Sequence, residues 1–168
     1  MLQRTVTLAV CSASILWAAG CASPPMPSQD AALVGTYRLL SFKALPDGES
    51  PVDIWGQQPR GYLVVTPLRF MAILTAQERR LPAGPAPTMQ DFAASFVTQA
   101  AYTGPYRLEG NRLITQVDTS SFATWVGKDQ GREYRLEGNR LHLLTLPGPI
   151  PGLPGKTGRA QGVWEKIE

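Results

Sequence analysis

The octapeptide YRLEGNRL occurs twice, at Tyr106–Leu113 and again at Tyr134–Leu141. In both copies a Gly-Asn pair separates two short segments in which polar and apolar side chains alternate. Such a pair is typical of a two-residue hairpin loop, because glycine adopts the positive φ that a tight turn requires. Each copy therefore predicts two antiparallel strands joined at Gly-Asn.

The position of the loop predicts which residues face each other. In the first copy Leu108 faces Leu113, and Glu109 faces Arg112, with which it is expected to form an ion pair. The charged face should meet water and the other face the interior, since side chains alternate along a strand. The residues predicted to point inward are Tyr106, Leu108 and Leu113 in the first copy and Tyr134, Leu136, Leu141 and Leu143 in the second.

Four further segments have strand character. They span residues 35–43, 61–66, 69–75 and 162–167. Before the repeats, Thr88 and Asp91 resemble a capping box, and Phe92, Phe96 and Ala100 recur at helical spacing. This pattern predicts a helix from residue 89 to about residue 101.

The order of these elements predicts an all-β fold. Eight strands without strand–helix alternation favour an up-and-down antiparallel β-barrel of about eight strands, with one inserted α-helix near 89–101. The interior of such a barrel is either filled by side chains or holds one small ligand.

The N-terminal residues have the composition of an export segment. Residues 1–20 contain one charge, Arg4, then an apolar run and the small residues Ala-Ala-Gly before Cys21, as in a secretory signal. The apolar run is shorter than the ~20 residues that a membrane-spanning helix needs. The stretch AAGC resembles the lipobox of bacterial lipoproteins, which implies that Cys21 is lipidated. A cleaved signal followed by a chance cysteine is the alternative.

These features predict three parts: a signal peptide at 1–20, a lipidated cysteine and flexible tether at 21–30, and a barrel domain at 31–168. Ala22 directly after the cysteine resembles the sorting pattern of the outer membrane, which implies an anchored position in the bacterial cell envelope, facing the periplasm. The net charge of +3 is too small to favour a nucleic-acid partner, and no basic run appears in the sequence.

Several segments together resemble the bacterial lipocalin-like domain family. In order along the chain they are LVGTYRLLSF (33–42), PRGYLVVTP (59–67), AYTGPYRL (101–108), TWVGKDQGR (124–132), YRLEGNRLHLL (134–144) and VWEK (163–166). The resemblance implies a calycin-type barrel and supports fold more than function. Family members often carry histidines in the strand matching Leu113–Val117, which here is LITQV, so no role of those histidines transfers.

Arg132 is the first candidate for contact with a ligand. It lies two residues before Tyr134 in the same predicted strand, so the alternation of side chains points it inward, where an unpaired guanidinium is costly. A bound carboxylate would satisfy it through two parallel hydrogen bonds. In the alternative, Arg132 lies at the end of its strand and pairs with Asp129 or Asp118.

Aromatic side chains are the candidates for the wall of an apolar pocket. Those predicted to contact a ligand beside Arg132 are Tyr62, Tyr106, Trp125 and Tyr134. Equally, such residues fill the core of a domain without binding anything. Trp125 follows a polar stretch and is expected near an opening, and the loop containing Ile150 and Leu153 is a candidate lid over it.

The sequence offers little for catalysis or metal binding. His142 is the only histidine, and the hairpin pairing puts it on the outer face beside Arg135, away from any nucleophile in the interior. A single histidine without a spaced cluster of carboxylates predicts no metal site. We therefore predict no catalytic residue and no cofactor.

The leading hypothesis is a membrane-anchored, lipocalin-like binding protein for a small apolar or acidic-amphiphilic ligand. One alternative is an isomerase- or cyclase-type enzyme that uses the cavity, with Asp118 or Glu133 as its acid or base. Another is a non-catalytic envelope module that binds a protein through an exposed apolar patch. An interior void of roughly 300 Å³ or more favours binding or catalysis, and a packed interior favours the interaction module.

Overall fold

The computed structural model describes residues 31–80, 82, 84–150 and 152–168. The predicted signal peptide, Cys21 and the tether lie outside the described residues. Across those ranges no helix is both long enough and apolar enough to span a bilayer.

Strands dominate the described part of the chain. The helical elements are two short 3-10 turns, η1 (Ala31–Leu33) and η2 (Ala123–Trp125), and one α-helix, α1 (Met89–Phe96). The strands are β1 (Gly35–Pro46), β2 (Arg60–Val65), β3 (Arg69–Thr75), β4 (Gln99–Glu109), β5 (Arg112–Gln116), β6 (Thr119–Ser120), β7 (Asp129–Glu137), β8 (Arg140–Thr145), β9 (Gly148–Pro149) and β10 (Thr157–Lys166).

Eight of these strands close into a barrel. Neighbours pair in the order β1, β2, β3, β4, β5, β7, β8 and β10, and β10 returns to pair with β1. Every pairing is antiparallel, and the two shortest strands, β6 and β9, add to β4 and β10 at the rim. The predicted all-β, up-and-down barrel is confirmed.

Both hairpins have the predicted register. Leu108 lies opposite Leu113, and in the second copy Leu136 lies opposite Leu141. Gly110 and Gly138 adopt φ values of 60° and 59°, while no described residue other than glycine has a positive φ. A positive φ at the first loop residue alone corresponds to a type II′ turn, whose twist suits the strands that it joins.

The predicted ion pair across the first hairpin is wrong. Glu109 lies opposite Arg112 as expected, but its carboxylate accepts a 2.8 Å hydrogen bond from Nε of Arg107, two residues earlier on the same strand. Side chains at i and i+2 share a face of a strand, so this partner competes with the one across the turn. Arg135 and Glu137 form the same contact in the second copy.

The helix begins as predicted and ends earlier. Thr88 and Asp91 form the capping box, with the Asp91 backbone N–H donating to Thr88 Oγ1 and the Thr88 N–H donating to Asp91 Oδ2. The helix stops at Phe96 because Ala100, which continues its apolar spacing, instead pairs with Leu74 of β3. Phe92 remains largely exposed on the outside of the helix.

One end of the barrel is filled and capped. The inward side chains of Tyr37, Leu113 and Leu141 are fully buried near the hairpin turns. The turn η1 covers them with the buried Leu33, whose carbonyl accepts a 2.8 Å hydrogen bond from the hydroxyl of Tyr37. We call this half of the barrel the closed end and the half beside α1 and the β9–β10 loop the open end.

Candidate ligand-binding cavity

The open end is hollow. It contains a cavity of about 370 Å³, within the range of roughly 300–1,000 Å³ that is usual for small-molecule sites. The space exists because several inward positions that line it carry little or no side chain: Ala72, Ala100, Gly158, Ala160 and Gly162. The cavity exceeds the roughly 300 Å³ above which binding or catalysis is favoured over a packed interior.

An aromatic cluster forms one wall of the cavity. The ring of Tyr102 lies 5.5 Å from that of Phe70 and 5.5 Å from that of Trp125, measured between centroids, and the rings of Tyr102 and Trp125 are nearly perpendicular at 85°. Phe122 lies 4.8 Å from Trp125 and links the wall to Phe96 of α1. Perpendicular and offset contacts are the favourable arrangements for aromatic pairs, so this wall is well packed.

A second aromatic pair and a loop form the opposite side of the opening. Phe42 and Trp55 stack with their ring centroids 4.8 Å apart. Ile150, in the loop before β10, is buried and lines the cavity. Its backbone N–H donates to the carbonyl of Lys156, and the ammonium group of Lys156 pairs with Glu49 in the loop after β1. The loop therefore covers part of the opening and is held from both sides.

Arg132 lies on β7 and lines the cavity, as predicted from the alternation of side chains along the strand. Its Nη1 donates to the carbonyl of Gly131 at 2.8 Å and reaches Oε1 of Gln130 at 3.5 Å. The guanidinium carbon lies 5.8 Å from the centroid of the Tyr102 ring, a cation–π contact. Arg132 is thus oriented by the backbone and an aromatic face at the side of an apolar hollow.

The carboxylates considered as partners of Arg132 are bound elsewhere. Asp129 pairs with Arg107 at 2.9 Å, and Asp118 pairs with Arg69, which holds the pKa of Asp118 below its ordinary value. Among the described residues no carboxylate forms an ion pair with Arg132. The alternative in which Asp129 or Asp118 neutralises Arg132 is therefore wrong.

Trp164, on β10, was not predicted to contact a ligand but belongs to the cavity wall. The residue is 3% exposed and lines the floor of the cavity. Its indole Nε1 is buried and forms no hydrogen bond with the described part of the chain. The ring lies over Gly162, where a Cβ would be 2.7 Å from Nε1. Gly162, two residues earlier on the same face of the strand, was the one sign in the sequence that the ring of Trp164 has space beside it.

The five predicted contact residues divide into three groups. Arg132 and Trp125 line the cavity. Tyr106 and Tyr134 belong to the core of the closed end, below the hollow. Tyr62 is 52% exposed because the neighbouring Leu63 takes the inward position, so the expectation that Tyr62 lies inside the barrel is wrong. The roles of these residues in ligand binding stay predictions.

The residues considered for catalysis lie on the outer face. His142 is opposite Arg135, as predicted, and its pKa is lowered by burial and by the charges of Arg135 and Arg140. Glu133 pairs with Arg159 at 2.8 Å on the same outer face. With Asp118 bound to Arg69, neither carboxylate proposed as an acid or base projects into the hollow.

Comparison with known proteins gives a family and two distant structures. A family model described as a lipocalin-like domain matches residues 34–167. An uncharacterized protein from Bacteroides eggerthii aligns over 80% of this chain and 98% of its own, with 14% identity and a TM-score of 0.39. A fatty acid transporter named REP1-NXSQ aligns over 83% of this chain and 98% of its own, with 9% identity and a TM-score of 0.38. No curated protein matches the chain in sequence.

Proposed function

Because the chain belongs to the lipocalin-like domain family and its barrel is hollow at one end, we propose that it binds a small apolar ligand with an acidic head group. One observation carries the proposal. The cavity of about 370 Å³ has a mainly aromatic and aliphatic lining. Of the charged residues that line it, Asp129 pairs with Arg107 and Arg159 with Glu133, whereas Arg132 has no carboxylate partner among the described residues. An apolar acid would satisfy both features at once.

The two parts of the ligand contribute in different ways. Its apolar part gains roughly 25 cal/mol for each Å² of apolar surface removed from water. Its carboxylate would accept charge-assisted hydrogen bonds from Arg132, and bonds to a charged group are worth about 1.5–3 kcal/mol. Only Nη1 of Arg132 is engaged by Gly131 and Gln130, so other guanidinium N–H groups are available to an acid.

A comparison of an acid with its neutral analogue tests the proposal. Decanoate and 1-decanol are titrated into the protein at neutral pH, with tryptophan fluorescence as the signal because Trp55, Trp125 and Trp164 line the cavity. Wild type should bind decanoate more tightly. Arg132→Gln should weaken decanoate binding about tenfold, equivalent to ~1.4 kcal/mol, and change decanol binding little.

The matched control is Arg135→Gln, which removes an exposed guanidinium three residues further along the same strand. It should leave both affinities unchanged. Failure of wild type to bind decanoate, together with absence of a small molecule in native mass spectra of protein purified from its source, would contradict the proposal. Equal losses of decanoate affinity in Arg132→Gln and Arg135→Gln would show that Arg132 does not bind the acidic head group.

We further propose that lipid on Cys21 anchors the barrel to the envelope, at the periplasmic face of the outer membrane. The support is the AAGC stretch and the short segment between Cys21 and the fold. The nine residues 22–30 span at most roughly 30 Å. Since η1 begins at the closed end, the anchor would hold that end towards the membrane and the opening away from it.

The anchor has a direct test. The intact mass of the mature protein should exceed that of residues 21–168 by an acylated glyceryl group, and the protein should fractionate with membranes. Cys21→Ser should abolish both properties while leaving decanoate binding intact. A mature protein of unmodified mass in the soluble fraction would contradict the anchor without affecting the binding proposal.

A further inference from the structure

We propose that Gln130, Arg132 and Thr145 together bind the head group of the ligand, on the wall of the cavity near the opening. The ligand class that fits this wall is an acyl chain joined through an amide or ester carbonyl to a small acid, with the end of the chain entering the barrel first. This inference rests on the proposed function and makes it more specific, because it assigns the bound acid an orientation and a larger head group.

The polar side chains of the lining are gathered on one wall. Those with a charged, amide or aliphatic hydroxyl group lie at the open-end termini of the neighbouring strands β7, β8 and β10: Asp129, Gln130, Arg132, Thr145 and Arg159. Every other described residue of the lining is aromatic, aliphatic, glycine or proline, and the hydroxyl of Tyr102 belongs to the aromatic wall. A polar head group therefore has one wall to bind.

Two of these five residues are already paired within the protein. The carboxylate of Asp129 pairs with Arg107 at 2.9 Å, and the guanidinium of Arg159 pairs with Glu133 at 2.8 Å. Nε of Arg159 also donates to the backbone carbonyl of Thr145 at 2.6 Å. The other three side chains are thus the ones available to a ligand.

These three side chains occupy neighbouring positions and present donors. Arg132 lies directly opposite Thr145, and Gln130 precedes Arg132 by two residues on the same face of β7. The Cβ atoms of directly opposed residues are about 4.5–5.5 Å apart. Oγ1 of Thr145 accepts a 2.8 Å hydrogen bond from the N–H of Ala160, so its own O–H can donate to a ligand. N–H and O–H groups from three side chains suit several ligand oxygens.

The floor of the cavity offers no comparable group. It is lined by Leu63, Phe70, Leu143 and Trp164, none of which is more than 6% exposed. The indole nitrogen of Trp164 is enclosed by the protein and is out of reach of a ligand in the cavity. Because a polar group buried without a partner costs free energy, the apolar end of the ligand occupies the floor.

The head-group wall has room for more than a carboxylate. Gln130, Arg132 and Thr145 are each partly exposed, and Gln130 and Thr145 lie near the ends of their strands at the opening. The guanidinium of Arg132 is turned towards the same end, because Nη1 donates to the carbonyl of Gly131 and reaches Oε1 of Gln130. Atoms added beside the carboxylate would extend towards water, whereas atoms added at the chain end would meet the floor.

Two isomeric acids test this orientation. N-decanoylglycine carries an amide beside its carboxylate, and 10-acetamidodecanoate carries the same amide at the far end of the chain, with equal composition and charge. Both are titrated calorimetrically into wild-type protein, with decanoate as the reference. N-decanoylglycine should bind at least as tightly as decanoate and about tenfold more tightly than its isomer, whose amide would enter the apolar floor. Binding of 10-acetamidodecanoate as tight as that of N-decanoylglycine would overturn the inference.

A substitution at Thr145 tests the head-group wall itself. Thr145→Val removes the hydroxyl and keeps the shape, so it should weaken N-decanoylglycine binding about fivefold, while Thr145→Ser should retain the affinity. The matched control is Thr36→Val on β1, since Thr36 does not line the cavity. An unchanged affinity in Thr145→Val, or an equal loss in Thr36→Val, would overturn the role of Thr145. The comparison of the isomers needs no variant and decides the orientation if Thr145→Val does not fold.

The result with decanoate separates this inference from the proposed function. If wild type binds none of the three acids, the proposed function fails. If decanoate binds through Arg132 and the two isomers bind equally, only the orientation and the larger head group fail.

Discussion

The two ends of the barrel use the same strands and the same alternation of side chains, yet one is packed and the other hollow. At the closed end the inward positions carry large side chains such as Tyr37, Leu113 and Leu141. At the open end they carry Ala72, Ala160 and Gly162. Side-chain volume at equivalent positions therefore separates the half that stabilises the fold from the half available to a ligand.

The largest effect is expected from a truncation at the closed end. Leu141 is fully buried, so Leu141→Ala should lower the free energy of unfolding by about 2–5 kcal/mol through lost contacts and the cavity left behind. Urea denaturation followed by circular dichroism measures this. Leu146→Ala, at a residue 40% exposed beside the opening, is the control and should change stability by less than about 1 kcal/mol. Equal losses in both variants would show that the two ends do not differ.

A smaller effect is expected where two backbones nearly touch. In β4, a Cβ at Gly104 would lie too close to the backbone carbonyl oxygen of Gln116 at the end of β5 for either strand to remain in place. Gly104→Ala should therefore lower the free energy of unfolding by about 1–3 kcal/mol, typical of overpacking. Gly148→Ala is the control, because a Cβ there meets nothing within 4 Å. A Gly104→Ala protein as stable as wild type would contradict the close approach.

The smallest effect is expected in the dependence of the unfolding free energy on pH. Burial, followed by the charges of Arg135 and Arg140, lowers the pKa of His142 in the folded protein below the ordinary 6.5. The unfolded chain then binds a proton more readily, so stability should fall as the pH drops through 6.5 and stop falling below the folded pKa. His142→Gln should flatten the dependence of unfolding free energy on pH in this window. A His142→Gln protein with the wild-type pH profile would assign the dependence to another group.

The sequence was sufficient to predict those features that depend on a short local pattern. Glycine at the first loop position predicted the register of both hairpins, and Thr88 with Asp91 predicted the start of α1. Strand parity also predicted that Arg132 points inward. Each of these depends on neighbours in the chain or directly across a turn, so no knowledge of the distant packing was needed.

The cavity could not be predicted from the sequence, because the residues that create it are small. β10 begins at Thr157, five residues before the predicted start at 162. The prediction missed these residues because the first inward positions of the strand are Gly158, Ala160 and Gly162. Small side chains give no alternation of hydropathy, and so neither the strand nor the space beside it had a signal. Tyr62 was misjudged for the opposite reason: the stretch YLVV is apolar on both faces.

Filling the open end tests the account most directly. Ala160→Leu adds bulk inside the cavity on β10, whereas Gln161→Leu adds it on the outer face of the same strand. The measurement is the calorimetric dissociation constant of decanoate for each variant, with stability checked by urea denaturation. We predict at least about tenfold weaker binding for Ala160→Leu, wild-type binding for Gln161→Leu, and little change in the stability of either. A folded Ala160→Leu protein that binds decanoate as wild type does would contradict the claim that the open end holds the ligand.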